Sequence, residues 1–195
     1  SPSDIHMKSR KIVSLCLVLF LSSLPSLLGS ELIQKRENRS AEDLYNMGYL
    51  WSLLGHYEEA IRLFQESLNI RPTAEAYTYL GWTYSHMGDY QRAIEEAEKA
   101  IRQDPDFGNP YNDIGVYLMK LAREDEAVPY LEMAMRAKKY CCYQFPHFNM
   151  GIIFLKKKSY DKAREEFKKS LAIDPDYFPA REALKLLEES AAEEI

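Results

Sequence analysis

Among the side chains able to do chemistry, the adjacent Cys141-Cys142 pair comes first, with His147 close behind it. Two thiols invite disulfide exchange; two thiols with an imidazole make three of the four ligands of a tetrahedral metal site. The pattern supplies no fourth ligand, so neither a metal nor any other cofactor is expected. Cys141 and Cys142 remain a candidate redox pair. Free thiols, a bridge between neighbours and a bridge to another chain are all open. His56 and His86 fall beside turn signals with no nucleophile motif near them, and Glu58-Glu59 and Glu95-Glu96 read as solvated helix faces. No glycine-rich phosphate loop is present. The chain does not read as an enzyme.

A second set of residues suits binding. Tyr45, Asn46 and Tyr49 are followed by Tyr79 and Trp82, then Asn112 and Val116, then Phe148, Asn149 and Ile152. Ser52, Thr78, Ser85, Asp113, Met119 and Leu155 complete the four rows. Aromatic and aliphatic groups can bury an apolar segment, and the amides of Asn46, Asn112 and Asn149 can hold its backbone. These rows recur with a period, and the period points to the elements that carry them.

Gly48, Gly81, Gly115 and Gly151 are spaced by 33, 34 and 36 residues, each with an alanine twelve residues later: Ala60, Ala93, Ala127 and Ala163. Between them, apolar residues recur three and four apart, the signature of amphipathic helices. Gly88-Asp89 breaks the second unit, with Gly88 suited to a left-handed turn and Asp89 to capping the helix that follows. Ser159 is expected to cap in the same way in the fourth unit. Each unit therefore reads as two antiparallel helices. Glycine inside a helix costs roughly 0.5–1 kcal/mol relative to alanine, a cost offset where two backbones must approach closely. The alanine is expected to fill the position opposite the glycine.

This pattern resembles the tetratricopeptide repeat, a 34-residue helix-turn-helix unit. The signature aromatic of the second helix is Tyr57, Tyr90 and Tyr160, with Glu124 the exception. The closing proline is Pro72, Pro105 and Pro175, with Lys139 the exception, and a small residue recurs as Ser67, Ala100, Ala134 and Ser170. The resemblance implies an all-α, right-handed superhelical solenoid. Its expected units are 41–73, 74–107, 108–141 and 142–177, closed by a solvating helix over 178–192. It also implies a groove lined by the first helix of each unit, where the rows above would receive another protein or peptide. Chaperone-binding members hold a terminal carboxylate with lysines and asparagines, and those basic positions are not filled here.

The first thirty residues differ in kind. Met7 to Lys11 is basic, Ile12 to Leu24 is almost wholly apolar, and Pro25 and a Gly29-Ser30 exit follow. This is expected to be a leader and secretory signal peptide over 1–30 starting at Met7, with a linker over 31–40 and an exported, periplasmic or extracellular product. The alternative is an inner-membrane anchor, since Ile12–Leu28 approaches spanning length, and only then is membrane contact expected. Loss of Lys8, Arg10, Lys11 and Asp4 would take the net charge from −5 to −7. An acidic chain lacks the basic face that nucleic acid requires. A self-associating structural subunit stands as the rival to a scaffold for a partner.

Overall fold

The computed structural model describes residues 39–193, with side chains as far as Glu189. The expected signal segment and most of the linker lie outside the described residues. Within them are nine helices and no strand. These are α1 (Ala41–Leu53), α2 (Tyr57–Ile70), α3 (Ala74–His86), α4 (Tyr90–Gln103), α5 (Asn109–Lys120), α6 (Glu124–Arg136), α7 (Gln144–Lys156), α8 (Tyr160–Ile173) and α9 (Phe178–Glu193). The chain is an all-α solenoid.

The second helices are plainly amphipathic. On α4, Ala93, Ile94, Ala97 and Ala100 are buried on one side, while Gln91, Arg92 and Glu95 face water. Each second helix packs on its own first helix and on the first helix of the next pair. Successive first helices also touch, whereas successive second helices make no comparable contact. The stack of pairs therefore bends towards its first helices, which line the inner face.

Close approach within a pair rests on the glycines. A methyl group added to Gly81 would stand 2.8 Å from the Ala93 carbonyl oxygen, and one on Gly151 would stand 2.4 Å from the Phe167 ring. Ala60, Ala93, Ala127 and Ala163 are wholly buried, as the spacing requires. In three pairs, however, the side chain filling the glycine's gap lies sixteen residues on rather than twelve: Phe64, Leu131 and Phe167. In the second pair that position is Ala97, and the α4 backbone itself comes forward to Gly81. The gap and its filler are matched as a set.

Turns show a similar substitution. Gly55 and Gly88 have φ of 79° and 80°, and the equivalent residues of the third and fourth pairs are Ala122 and Lys158, at 56° and 57°. Asp89 caps α4 by accepting from the Arg92 N–H at 3.0 Å. Ser159 makes no such bond. Its ψ of 67° resembles the 71° of Asp89, so the shorter hydroxyl falls short where a carboxylate reaches. Ser67 and Ser170 instead use their hydroxyls to tie each pair together, donating to the carbonyls of Ala41 at 2.6 Å and Gln144 at 2.8 Å.

In the third pair, the two residues that depart from the repeat pattern form ties between pairs. Glu124 accepts from Lys156 Nζ at 2.7 Å, and Lys139 Nζ donates to Asp104 at 2.6 Å. The Lys139 N–H also donates to the Asp106 carbonyl at 2.9 Å. The helix α6 runs through Pro129 unbroken. At the far end, α9 lays Leu187 against Ala163 and Phe167 while Phe178 stays exposed.

Two stability outcomes follow. Replacing Ala122 or Lys158 with glycine removes left-handed strain and should stabilise the fold by about 1 kcal/mol each, read as an increased urea midpoint. Gly151→Ala should cost about 1–3 kcal/mol through overpacking, and a double-mutant cycle with Phe167→Leu should show clear non-additivity.

Candidate partner-binding groove

On the inner face, α1 and α3 bring three tyrosines together. The Tyr79 ring meets Tyr45 at 5.9 Å and Tyr49 at 4.9 Å, both edge to face. This geometry suits the ring quadrupoles. Tyr45 reaches further inward to Phe64 at 6.0 Å, and its pKa is pushed up to about 12, mainly by burial and then by Tyr79, Glu75 and Tyr49. Tyr49 is 37% exposed, and Asn46 beside it is exposed. One turn on, Trp82 lies against His86 with ring centroids 3.7 Å apart. The first half of the expected row is aromatic, a three-tyrosine cluster and a Trp82–His86 pair.

The second half is different. Asn112 is only 9% exposed and accepts a hydrogen bond from Asn149 Nδ2 at 3.1 Å. The two amides expected to hold a partner's backbone are thus engaged with each other, because α5 and α7 touch at this level. Ser52 and Thr78 are also withdrawn, buried and donating to the carbonyls of Tyr49 and Ala74. Val116 is half-buried against the main core. Phe148 packs on Phe167 at 5.7 Å and Tyr177 at 5.4 Å. Ile152 and Leu155 line a separate cleft of about 940 Å³ between the α7–α8 turn and α9, with Pro179, Ala183 and Leu187.

A polar cluster at the centre was not legible as such. Asp113 occupies the same place on α5 as Asn46, Tyr79 and Asn149 on their helices. It is half-buried, and burial lifts its carboxyl to a pKa of about 7, opposed only by the side chain of Asn112. Its charge is felt by Tyr79 on α3, Tyr117 on α5 and Tyr140 before α7. The Tyr117 hydroxyl is buried beside the Ser85 hydroxyl, which itself donates to the Trp82 carbonyl at 2.7 Å. Tyr140 is held in place by Gly108, where an added methyl would lie 2.4 Å from its Cβ.

Cys141 and Cys142 are joined as neighbours, with Cα atoms 3.8 Å apart and Cys141 exposed. His147 does not turn to them. Its Nδ1 lies 2.7 Å from Glu166 Oε2 on α8. Among the described residues no group of three or more histidine, cysteine or acidic side chains converges to hold a metal.

A family model described as Tetratricopeptide repeat matches residues 41–74, 74–107 and 145–177, passing over the third pair, where Glu124 and Lys139 stand. Mouse Tetratricopeptide repeat protein 21B is 27% identical over 115 residues, covering 59% of this chain and 8% of that protein. The Type IV pilus assembly protein PilF of Pseudomonas aeruginosa is 29% identical over 139 residues, covering 71% of this chain and 54% of that protein. The chain thus spans little more than half of one relative and a small part of the other. The solved structure of Pseudomonas aeruginosa PilF matches with a TM-score of 0.73 at 24% identity, over 78% of this chain and 69% of that one. MamA protein matches with a TM-score of 0.65 at 23% identity, over 78% and 82%. These structural likenesses concern the fold.

Asp113 has a consequence for stability. Its folded pKa of about 7 lies above its ordinary 3.8, so folding favours the protonated form. The contribution of Asp113 to stability should fall as pH rises from about 4 to 7, with the penalty complete above 7. Asp113→Asn should therefore raise the melting temperature at pH 8 and leave it nearly unchanged at pH 4, as calorimetry would record.

Proposed function

The chain belongs to the tetratricopeptide repeat family, whose members bind other proteins, and we propose that it is a non-enzymatic scaffold acting outside the cytoplasm. Its inner face would take an apolar or aromatic segment of a partner protein. The observation that carries this reading is the Tyr45–Tyr79–Tyr49 cluster, with Tyr49 open to solvent and Trp82 one turn away. Aromatic side chains supply large contact area with few rotatable bonds, and here their neighbours already hold them. Binding would then need little backbone change. Asn46 is the amide left exposed beside them to meet the segment's main chain.

Export is supported by the basic and then apolar order of residues 7–24. No helix among the described residues is long and apolar enough to cross a membrane. The likeness to a type IV pilus assembly protein favours a second reading, an assembly factor tethered at the membrane by residues 7–28.

Affinity capture from cell-envelope extract, comparing the wild type with Tyr49→Ala/Trp82→Ala, tests the groove. Loss of two aromatic anchors should weaken recovery of a specific partner by about thirtyfold or more, at unchanged helicity. Equal recovery by a folded double variant would sink this reading. The mass of the exported product separates a cleaved leader from a retained tether.

A further inference from the structure

The α9 helix begins 34 residues after α7 (178 − 144), where a fifth pair would place its first helix. It packs on α8 by setting Leu187 against Ala163 and Phe167. With α7, however, it makes no contact comparable to those between α1 and α3, α3 and α5, or α5 and α7. The gap left between α7 and α9 is the cleft of about 940 Å³. Ile152 and Leu155 form one wall, and Pro179, Ala183, Leu186 and Leu187 the other. Its volume lies at the upper end of the range, about 300–1,000 Å³, that small-molecule sites occupy.

Charge gathers at the turn end of this cleft. Lys156 and Lys157 reach back to Glu124 and Asp125 on α6. Lys158, in the left-handed turn residue, lines the cleft instead and forms no ion pair among the described residues. Lys162 also lines it, with Nζ 5.6 Å from the Phe154 ring and no carboxylate partner. Arg164 and Asp161 neutralise each other at 2.8 Å, and Glu182 stands across on α9.

We infer that the cleft binds a free fatty acid, its alkyl chain along the aliphatic walls and its carboxylate at Lys158 and Lys162. A peptide would bring an N–H and a C=O with every residue, and the six wall residues offer no side-chain partner for them. An alkyl chain carries no such groups and gains from each methylene removed from water. Its head group needs only acceptors, which the two ammonium groups match. Glu182 repels the carboxylate from α9 and leaves the turn end as its place. The inference is independent of the groove reading, because the site shares no residue with the aromatic cluster of α1 and α3.

The test uses the full chain and the fluorescent fatty acid cis-parinarate, displaced by laurate, dodecanol or dodecylammonium below their micelle concentrations. Parinarate should saturate at one molecule per chain. Laurate should displace it about tenfold more strongly than dodecanol, and dodecylammonium should be weakest. Lys158→Asn/Lys162→Gln should bring laurate down to the dodecanol level; asparagine tolerates the left-handed conformation at position 158. Ala183→Trp should block the cleft. Leu186→Gln, at an exposed position that does not endanger folding, should weaken every ligand about fivefold. Tyr49→Ala/Trp82→Ala should leave all of them unchanged, and circular dichroism checks that each variant keeps its helicity. Equal displacement by laurate and dodecanol overturns the inference. So does parinarate binding that is unchanged in Leu186→Gln and in folded Ala183→Trp, since the apolar residues 12–24 or another surface would then hold the probe. Loss of binding in Tyr49→Ala/Trp82→Ala overturns it by placing the alkyl chain in the aromatic groove. If phosphatidylglycerol vesicles capture the chain through Lys158 and Lys162 while parinarate does not saturate, the turn end meets a lipid surface and the free-acid site falls.

Discussion

The solenoid depends on a steric vacancy placed once per helix pair. Each first helix omits one side chain where its partner crosses, and the partner presents either a large side chain to the gap or its own backbone. Phe64, Leu131 and Phe167 take the first course, and Ala97 with the Ala93 carbonyl takes the second. Protein interiors are packed too densely for this match to be loose. The small cost of glycine in helix propensity is outweighed because the same contact sets the distance between helices four times over. Once that distance is fixed, the next pair has one way to stack, and the inner face follows from the stacking.

A stack that bends towards its first helices brings equivalent positions of α1, α3, α5 and α7 close together, and closeness changes their chemistry. Three tyrosines become a mutually braced cluster because α1 and α3 touch. Two asparagines become a closed pair because α5 and α7 touch. The same contact that makes a groove therefore removes part of its expected lining. What stays open is aromatic at one end and acidic in the middle, a combination produced by neighbours rather than by any single residue.

The period, the buried alanines, the Gly88 turn and the Asp89 cap were legible because each depends on a residue and its own helix pair. Local geometry then admits few alternatives. Legibility ended where a second pair intervened. Asn112 and Asn149 are 37 residues apart, and nothing in either row announces that one amide faces the other. The exposed place expected for Ile152 is altered by α9, which leaves a cleft beside it rather than a continuation of the row. Ala122 and Lys158 show a different limit. Where two packed helices define a turn, the left-handed residue does not have to be glycine, so the sequence marker disappears while the conformation persists. Ser159 marks the reverse case, a capping residue type that makes no capping bond although its backbone matches that of Asp89.

The third pair connects these points. Glu124 and Lys139 are the two places where the family pattern lapses, and both side chains reach to neighbouring pairs, towards Lys156 and Asp104. Surface ion pairs of this kind contribute little stability, about 0–1 kcal/mol each. Their effect is better understood as orientation. The Lys139 backbone is bonded to Asp106 and Gly108, and this fixes the segment that carries Tyr140 towards Asp113. The pair that least resembles the family is thus the one that builds the acidic centre of the inner face. A repeat protein can keep its stacking rule in most units and depart from it in one, and the departure is where its individual chemistry is found.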